Sequence, residues 1–160
     1  MRGWAAVALV LTLGGCGAAV PEARAVPSPS ATPAVAPELA GCDGRRVTYS
    51  VPDGLKQGAA LTQVPGLPGR YAVVGQSYGS GDDTLWVGVV CGLRGAQQFA
   101  TVISRAYLTT HAGRPALRWR TSGNVRHYMW LDRPGLAVYV AATPDLADRM
   151  SSVAATVVAR

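Results

Sequence analysis

Between Gly17 and Gly41 the chain carries Pro21, Pro27, Pro29, Pro33 and Pro37 among alanines, serines and Thr32, with no aromatic residue. Such a stretch offers few side chains large enough to bury, and its prolines remove the backbone donors a helix or sheet needs, so it cannot build a core. Folding must happen to its C-terminal side, from about Cys42 to Arg160, where there is room for one domain of ordinary size and not for two. The stretch itself reads as a semi-rigid spacer, extended at about 3.1 Å per residue, so that roughly 25 residues reach up to about 75 Å. We therefore read residues 16–41 as the N-terminus and linker of the mature chain, and 42–160 as a single domain.

What precedes the spacer is a targeting device. Arg2 is the one charge among Met1 to Trp4, Ala5 to Leu13 are apolar except for Thr12, and small residues follow, which is the three-part plan of a secretory signal. Nine helical residues span only about 14 Å of a hydrocarbon core about 30 Å thick, so the segment is too short to cross a membrane stably. Its end, Leu13-Gly14-Gly15-Cys16, resembles the lipobox of bacterial lipoproteins. That resemblance implies that residues 1–15 are a signal peptide, that the Cys16 thiol is diacylated, and that the domain is exported and lipid-anchored to the outer face of the cell membrane. Two acyl chains would anchor it stably where one would not. The alternatives are a plain secretory signal with a chance cysteine, or cleavage further on, after Ala18-Ala19.

Setting Cys16 aside leaves Cys42 and Cys91, an even pair in a compartment that permits oxidation, and we expect them to form a disulfide. Two buried free thiols are the alternative.

Fourteen of the fifteen basic side chains are arginines, Lys56 being the exception, and the formal net charge is +6. A basic balance favours anionic lipid head groups or acidic polymers as neighbours. Nucleic acid is not expected for an exported chain.

Within the domain, Val47, Tyr49 and Val51 alternate with polar residues and run into Pro52-Asp53-Gly54, a strand and its turn. Arg70 to Val74 and Thr84 to Cys91 flank the turn-rich Gly79-Ser80-Gly81-Asp82-Asp83 and read as a hairpin. Phe99, Val102, Ile103, Ala106 and Tyr107 recur at the spacing of one helix face. Arg114 to Arg120, Val125 to Leu131 and Leu136 to Ala142 read as a three-strand meander. Thr143-Pro144-Asp145 has the chemistry of a helix start, with Leu146, Met150, Val153 and Val157 as the buried stripe.

This order predicts an α+β fold, a largely antiparallel sheet with two main helices. Val47-Thr48-Tyr49-Ser50-Val51-Pro52-Asp53-Gly54, the Gly113-Arg114-Pro115-Ala116 turn and the closing helix are similar to the PsbP-like family, which includes small actinobacterial lipoproteins. The resemblance implies an α/β/α sandwich and a non-enzymatic accessory or binding role, and it supplies no catalytic residues.

The residues themselves offer little chemistry. The chain has two histidines, His111 on an expected loop and His127 in the apolar register with Val125, Met129 and Leu131, where a hydrogen-bonded core residue is expected. Asp82 and Asp83 lack the spaced ligands of a calcium loop. No serine elbow, Ser-x-x-Lys pair or phosphate loop occurs, so no catalytic residue, metal or cofactor is expected. The alternative is an envelope hydrolase using His111 or His127 with an aspartate, which requires an open pocket and a carboxylate within hydrogen-bond reach.

One surface remains. If Thr121-Ser122-Gly123 is a three-residue loop, Trp119 faces Val125 and Leu117 faces His127 on the apolar side, and the other side displays Arg118, Arg120, Arg126, Tyr128 and Trp130, joined by Tyr139. Arginines and aromatics together suit an envelope glycan, an anionic lipid or a protein partner. Equally, a helix covering this face would make Tyr128, Trp130 and Tyr139 core, with the arginines at the rim.

Overall fold

A computed structural model describes residues 36–160. The residues read above as signal peptide, as lipobox with Cys16 and as spacer up to Val35 lie outside the described residues. In chain order the elements are β1 (Glu38–Ala40), β2 (Arg46–Thr48), β3 (Lys56–Leu61), β4 (Ala72–Ser80), β5 (Asp83–Cys91), α1 (Ala96–Ala100), β6 (Tyr107–His111), β7 (Arg114–Arg120), β8 (Arg126–Arg133), β9 (Leu136–Ala142), α2 (Met150–Thr156) and β10 (Val158–Ala159). Seven strands form one antiparallel sheet in the order β3-β4-β5-β9-β8-β7-β6, and β1, β2 and β10 form a second, small antiparallel sheet. The fold is thus α+β with a mostly antiparallel sheet, as the alternation of the sequence predicts.

The central strands β5, β8 and β9 carry apolar residues at both odd and even positions because both faces of the large sheet are covered. On one face, Leu85, Val87, Tyr128, Trp130 and Val138 pack under the small sheet and under Leu146, Met150 and Val153 of the C-terminal helical segment. On the other, Leu117, Trp119, Met129 and Tyr139 pack under Phe99, Val102 and Ile103 and the loop carrying Val64 and Tyr71. In the row that crosses this second face, Gly75 lies opposite Gly88, and Gly88 opposite Tyr139. A side chain at Gly75 would meet the Val87 carbonyl oxygen at 2.6 Å and the Leu61 side chain at 3.0 Å, so glycine is what lets Leu61 lie over the strands.

Several expectations are corrected. The helix expected from Phe99 to Tyr107 is one short turn, Ala96–Ala100, after which Arg105 takes a left-handed φ of 63° and the chain turns into β6. Phe99, Val102 and Ile103 are still buried, through successive turns in which the Val102 N–H donates to Phe99 and the Ala106 N–H to Ile103. Tyr107 belongs to β6 instead and is exposed. The folded region also begins before Cys42: Glu38–Ala40, assigned above to the linker, pairs with β2 and buries Leu39. The closing helix starts as a 3-10 segment, Pro144–Arg149, and ends before Val157. Thr143 does not cap it with its side chain. Its hydroxyl accepts from the Thr84 N–H at 3.1 Å and donates to Asp83 Oδ1 at 3.1 Å, which ties the segment to the β4–β5 hairpin.

Cys42 and Cys91 form a disulfide that joins the turn between β1 and β2 to the end of β5. It pins the small sheet onto the large one.

Candidate functional site

The β7–β8 hairpin organises the surface singled out in the sequence. Trp119 pairs with His127, Leu117 with Met129, Arg118 with Tyr128 and Ala116 with Trp130. This register is two residues away from the expected one, because the connection runs from Thr121 to Val125, with the Thr121 N–H donating to the Val125 carbonyl and both Gly123 and Asn124 at left-handed φ, 74° and 56°. A slip of two preserves the faces, so Arg118, Arg120, Arg126, Tyr128 and Trp130 do share one side.

Tyr139 does not join them. Arg133 pairs with Leu136 but Leu131 pairs with Ala137, leaving Asp132 as an extra residue in β8. That one-residue bulge moves Tyr139 from opposite Trp130 to opposite Met129, hence to the other face, where it is buried.

The remaining face divides in two. At one end Trp130 is core, with His111 of the edge strand stacked on it at 4.2 Å between ring centroids. Tyr128 is also buried; its hydroxyl meets His111 Nδ1 at 3.1 Å and donates to the Thr110 carbonyl at 3.4 Å. For Tyr128 and Trp130 the covered alternative therefore holds. At the other end, Arg118, Arg120 and Arg126 remain exposed and line an open cleft of about 760 Å³ together with Arg105 and Tyr107, whose far wall is Ala147, Met150 and Ser151. The Arg118 guanidinium carbon lies 5.0 Å from the centre of the Tyr128 ring. Of these four arginines, only Arg126 has a carboxylate of the described residues within ion-pair distance, Asp148 at 3.9 Å. Arg105 and Tyr107 were not legible as site residues, because the helical spacing placed them on a different element.

The histidines have other roles. His127 is 3% exposed, with Nε2 at 2.8 Å from Thr121 Oγ1, Nδ1 at 2.7 Å from the Tyr139 hydroxyl, and the Trp119 ring stacked at 4.9 Å. Burial lowers its pKa from 6.5 to about 4 and raises that of Tyr139, so the imidazole is neutral and needs both hydroxyls for its nitrogens. His111 is half-buried at the end of β6; burial lowers its pKa, the Arg114 charge lowers it further, and Asp132 opposes both. Neither histidine hydrogen-bonds a carboxylate among the described residues: Asp132, whose charge acts on His111, pairs with Arg114 and Arg133. Among the described residues no cluster of three or more potential ligands could hold a metal ion.

No described helix is long and apolar enough to cross a membrane. Comparison of the chain with protein-family models, with curated proteins and with solved structures finds no match.

Proposed function

We propose that this chain is a membrane-anchored lipoprotein of the cell envelope, held at the outer face of the membrane by a lipid on Cys16, whose domain binds an envelope component or a protein partner. The observation that carries the binding role is the cleft. Arg105, Arg118, Arg120 and Arg126 converge on one open surface, and three of them have no ion-pair partner among the described residues. Like charges gathered without counter-charges repel one another, so the arrangement favours an anionic ligand that supplies those charges. Arginine forks suit carboxylate or phosphate groups, and the exposed Tyr107 ring suits the larger molecule that carries them.

The disulfide supports an oxidising compartment, in line with export. Two covered faces, one under the C-terminal helical segment and one under α1 and its loop, are what an α/β/α sandwich requires. Among the described residues neither histidine has a carboxylate partner, which favours binding over hydrolysis.

The test is recovery of the intact lipoprotein from its own membrane, beside an Arg118→Gln, Arg120→Gln variant. A molecule that co-purifies reproducibly with the wild type and is lost from the variant supports the reading. Identical recovery, or nothing reproducible from either, refutes it.

A further inference from the structure

The two edges of the large sheet differ. Strand β3 is a poor template for another strand: Lys56 stands at its start, its register against β4 breaks between Gln57 and Ala60, and Gln76 Nε2 and Ser77 Oγ donate to the carbonyls of Gly58 and Ala59. Charge and a bulge on an edge are the ordinary defences against unwanted pairing. Strand β6 has neither. Its five residues, Tyr107-Leu108-Thr109-Thr110-His111, include no Lys, Arg, Asp, Glu or Pro and pair with β7 without a register break. Its outer side pairs with no strand among the described residues. On it Tyr107 is 78% and Leu108 63% exposed, one on each face of the sheet.

What such an edge accepts is decided by the charge beside it. Tyr107 pairs with Arg118, and Arg105, Arg118 and Arg120 line the cleft that Tyr107 borders, none of them ion-paired among the described residues. A second copy of this chain docked edge to edge would bring a second unpaired arginine cluster to the junction. An extended acidic segment would bring its complement.

We infer that β6 receives an extended acidic peptide of a protein partner as an eighth strand of the large sheet. Main-chain hydrogen bonds to β6 supply affinity, and alternate side chains supply specificity. On the cleft face, carboxylates stand beside Tyr107, about two strand spacings or roughly 10 Å from the Arg118 backbone, within the joint reach of an arginine and a glutamate. On the other face an apolar side chain covers Leu108. The inference rests on the reading of the cleft as an anion-binding surface and adds the edge strand to it.

The test uses the full chain with Cys16→Ser, oxidised and isotopically labelled, titrated with a peptide of about eight residues alternating glutamate and valine. The expected result is protection of the β6 amides from hydrogen exchange, and binding at least about tenfold tighter than that of the same residues arranged in two blocks. Proline at the centre of the peptide should abolish binding, and the Arg118→Gln, Arg120→Gln variant should weaken it about tenfold or more. Equal binding of the block peptide and of inorganic polyphosphate, with β6 unprotected, overturns strand addition while leaving the cleft an anion site. Protection of β6 before any peptide is added overturns it too, in favour of the chain's own N-terminal segment if the protein is monomeric and of a second copy if it is dimeric. No binding by any acidic probe also overturns it, and the co-purification above then decides the function independently.

Discussion

The stability of this domain should fall between neutral and mildly acidic pH, with His127 making a contribution that can be isolated. His127 is held between Trp119, Thr121 and Tyr139, with no carboxylate among the described residues hydrogen-bonded to it to stabilise an imidazolium, and its pKa is lowered to about 4. In the unfolded chain the same imidazole titrates near 6.5. Below 6.5 the unfolded state therefore binds a proton that the folded state refuses, and unfolding becomes more favourable by about 1.4 kcal/mol per pH unit until the folded pKa is reached. Between pH 7.5 and pH 5 the loss is about 2 kcal/mol, and it approaches about 3 kcal/mol below pH 4. Urea unfolding of the oxidised protein at several pH values, beside a His127→Gln variant, isolates this contribution, since His111 and the carboxylates are common to both. The variant should be less stable at pH 7.5 but lose about 2 kcal/mol less on acidification. Parallel pH profiles for the two proteins would refute the reasoning. So would a His127 ring resonance in the wild type that titrates near 6.5, a measurement that needs no variant.

Other outcomes follow from the packing. Trp130→Ala removes a core side chain rather than a binding residue and should cost about 3–5 kcal/mol in urea unfolding; a stable, cooperatively melting variant would return Trp130 to the list of surface residues. Gly75→Val forces a side chain against the Val87 carbonyl and Leu61, and should lower the melting temperature or abolish folding, whereas Gly113→Ala, at a turn with open space around it, should cost only the strain of its left-handed φ, about 1 kcal/mol. Reduction should expose two thiols that alkylation cannot reach in the oxidised domain, Cys42 and Cys91, and should lower stability by up to about 4 kcal/mol through the freed loop between them.

How much of this was legible in the residues depended on whether each pattern had a single physical cause. The meander was readable because turn chemistry separates three β-rich segments, and the faces of β7 and β8 survived a register error of two because strand periodicity is two. Tyr139 was misplaced by a single unpaired residue, Asp132, since nothing in Leu131-Asp132-Arg133 announces a bulge. The spacing of Phe99, Val102 and Ile103 is met equally by a helix and by successive turns, and the left-handed Arg105 that ends the run carries no sequence signal. That error hid β6, and with it Arg105 and Tyr107 of the cleft. Strand β3 was invisible because an exposed edge needs no apolar alternation. His127, by contrast, was placed correctly in the core by its register with Met129, and the structure adds the two hydroxyls that satisfy it.

We propose that this domain works at a membrane through a lipid on Cys16, and the N-terminal peptide of the mature protein is where that can be read. Purified from the membrane of its own cell and digested, the chain should yield a first peptide that begins at Cys16 and carries the added mass of its acyl groups. A first peptide beginning elsewhere, or one beginning at Cys16 without acyl mass, would rule out the lipid anchor.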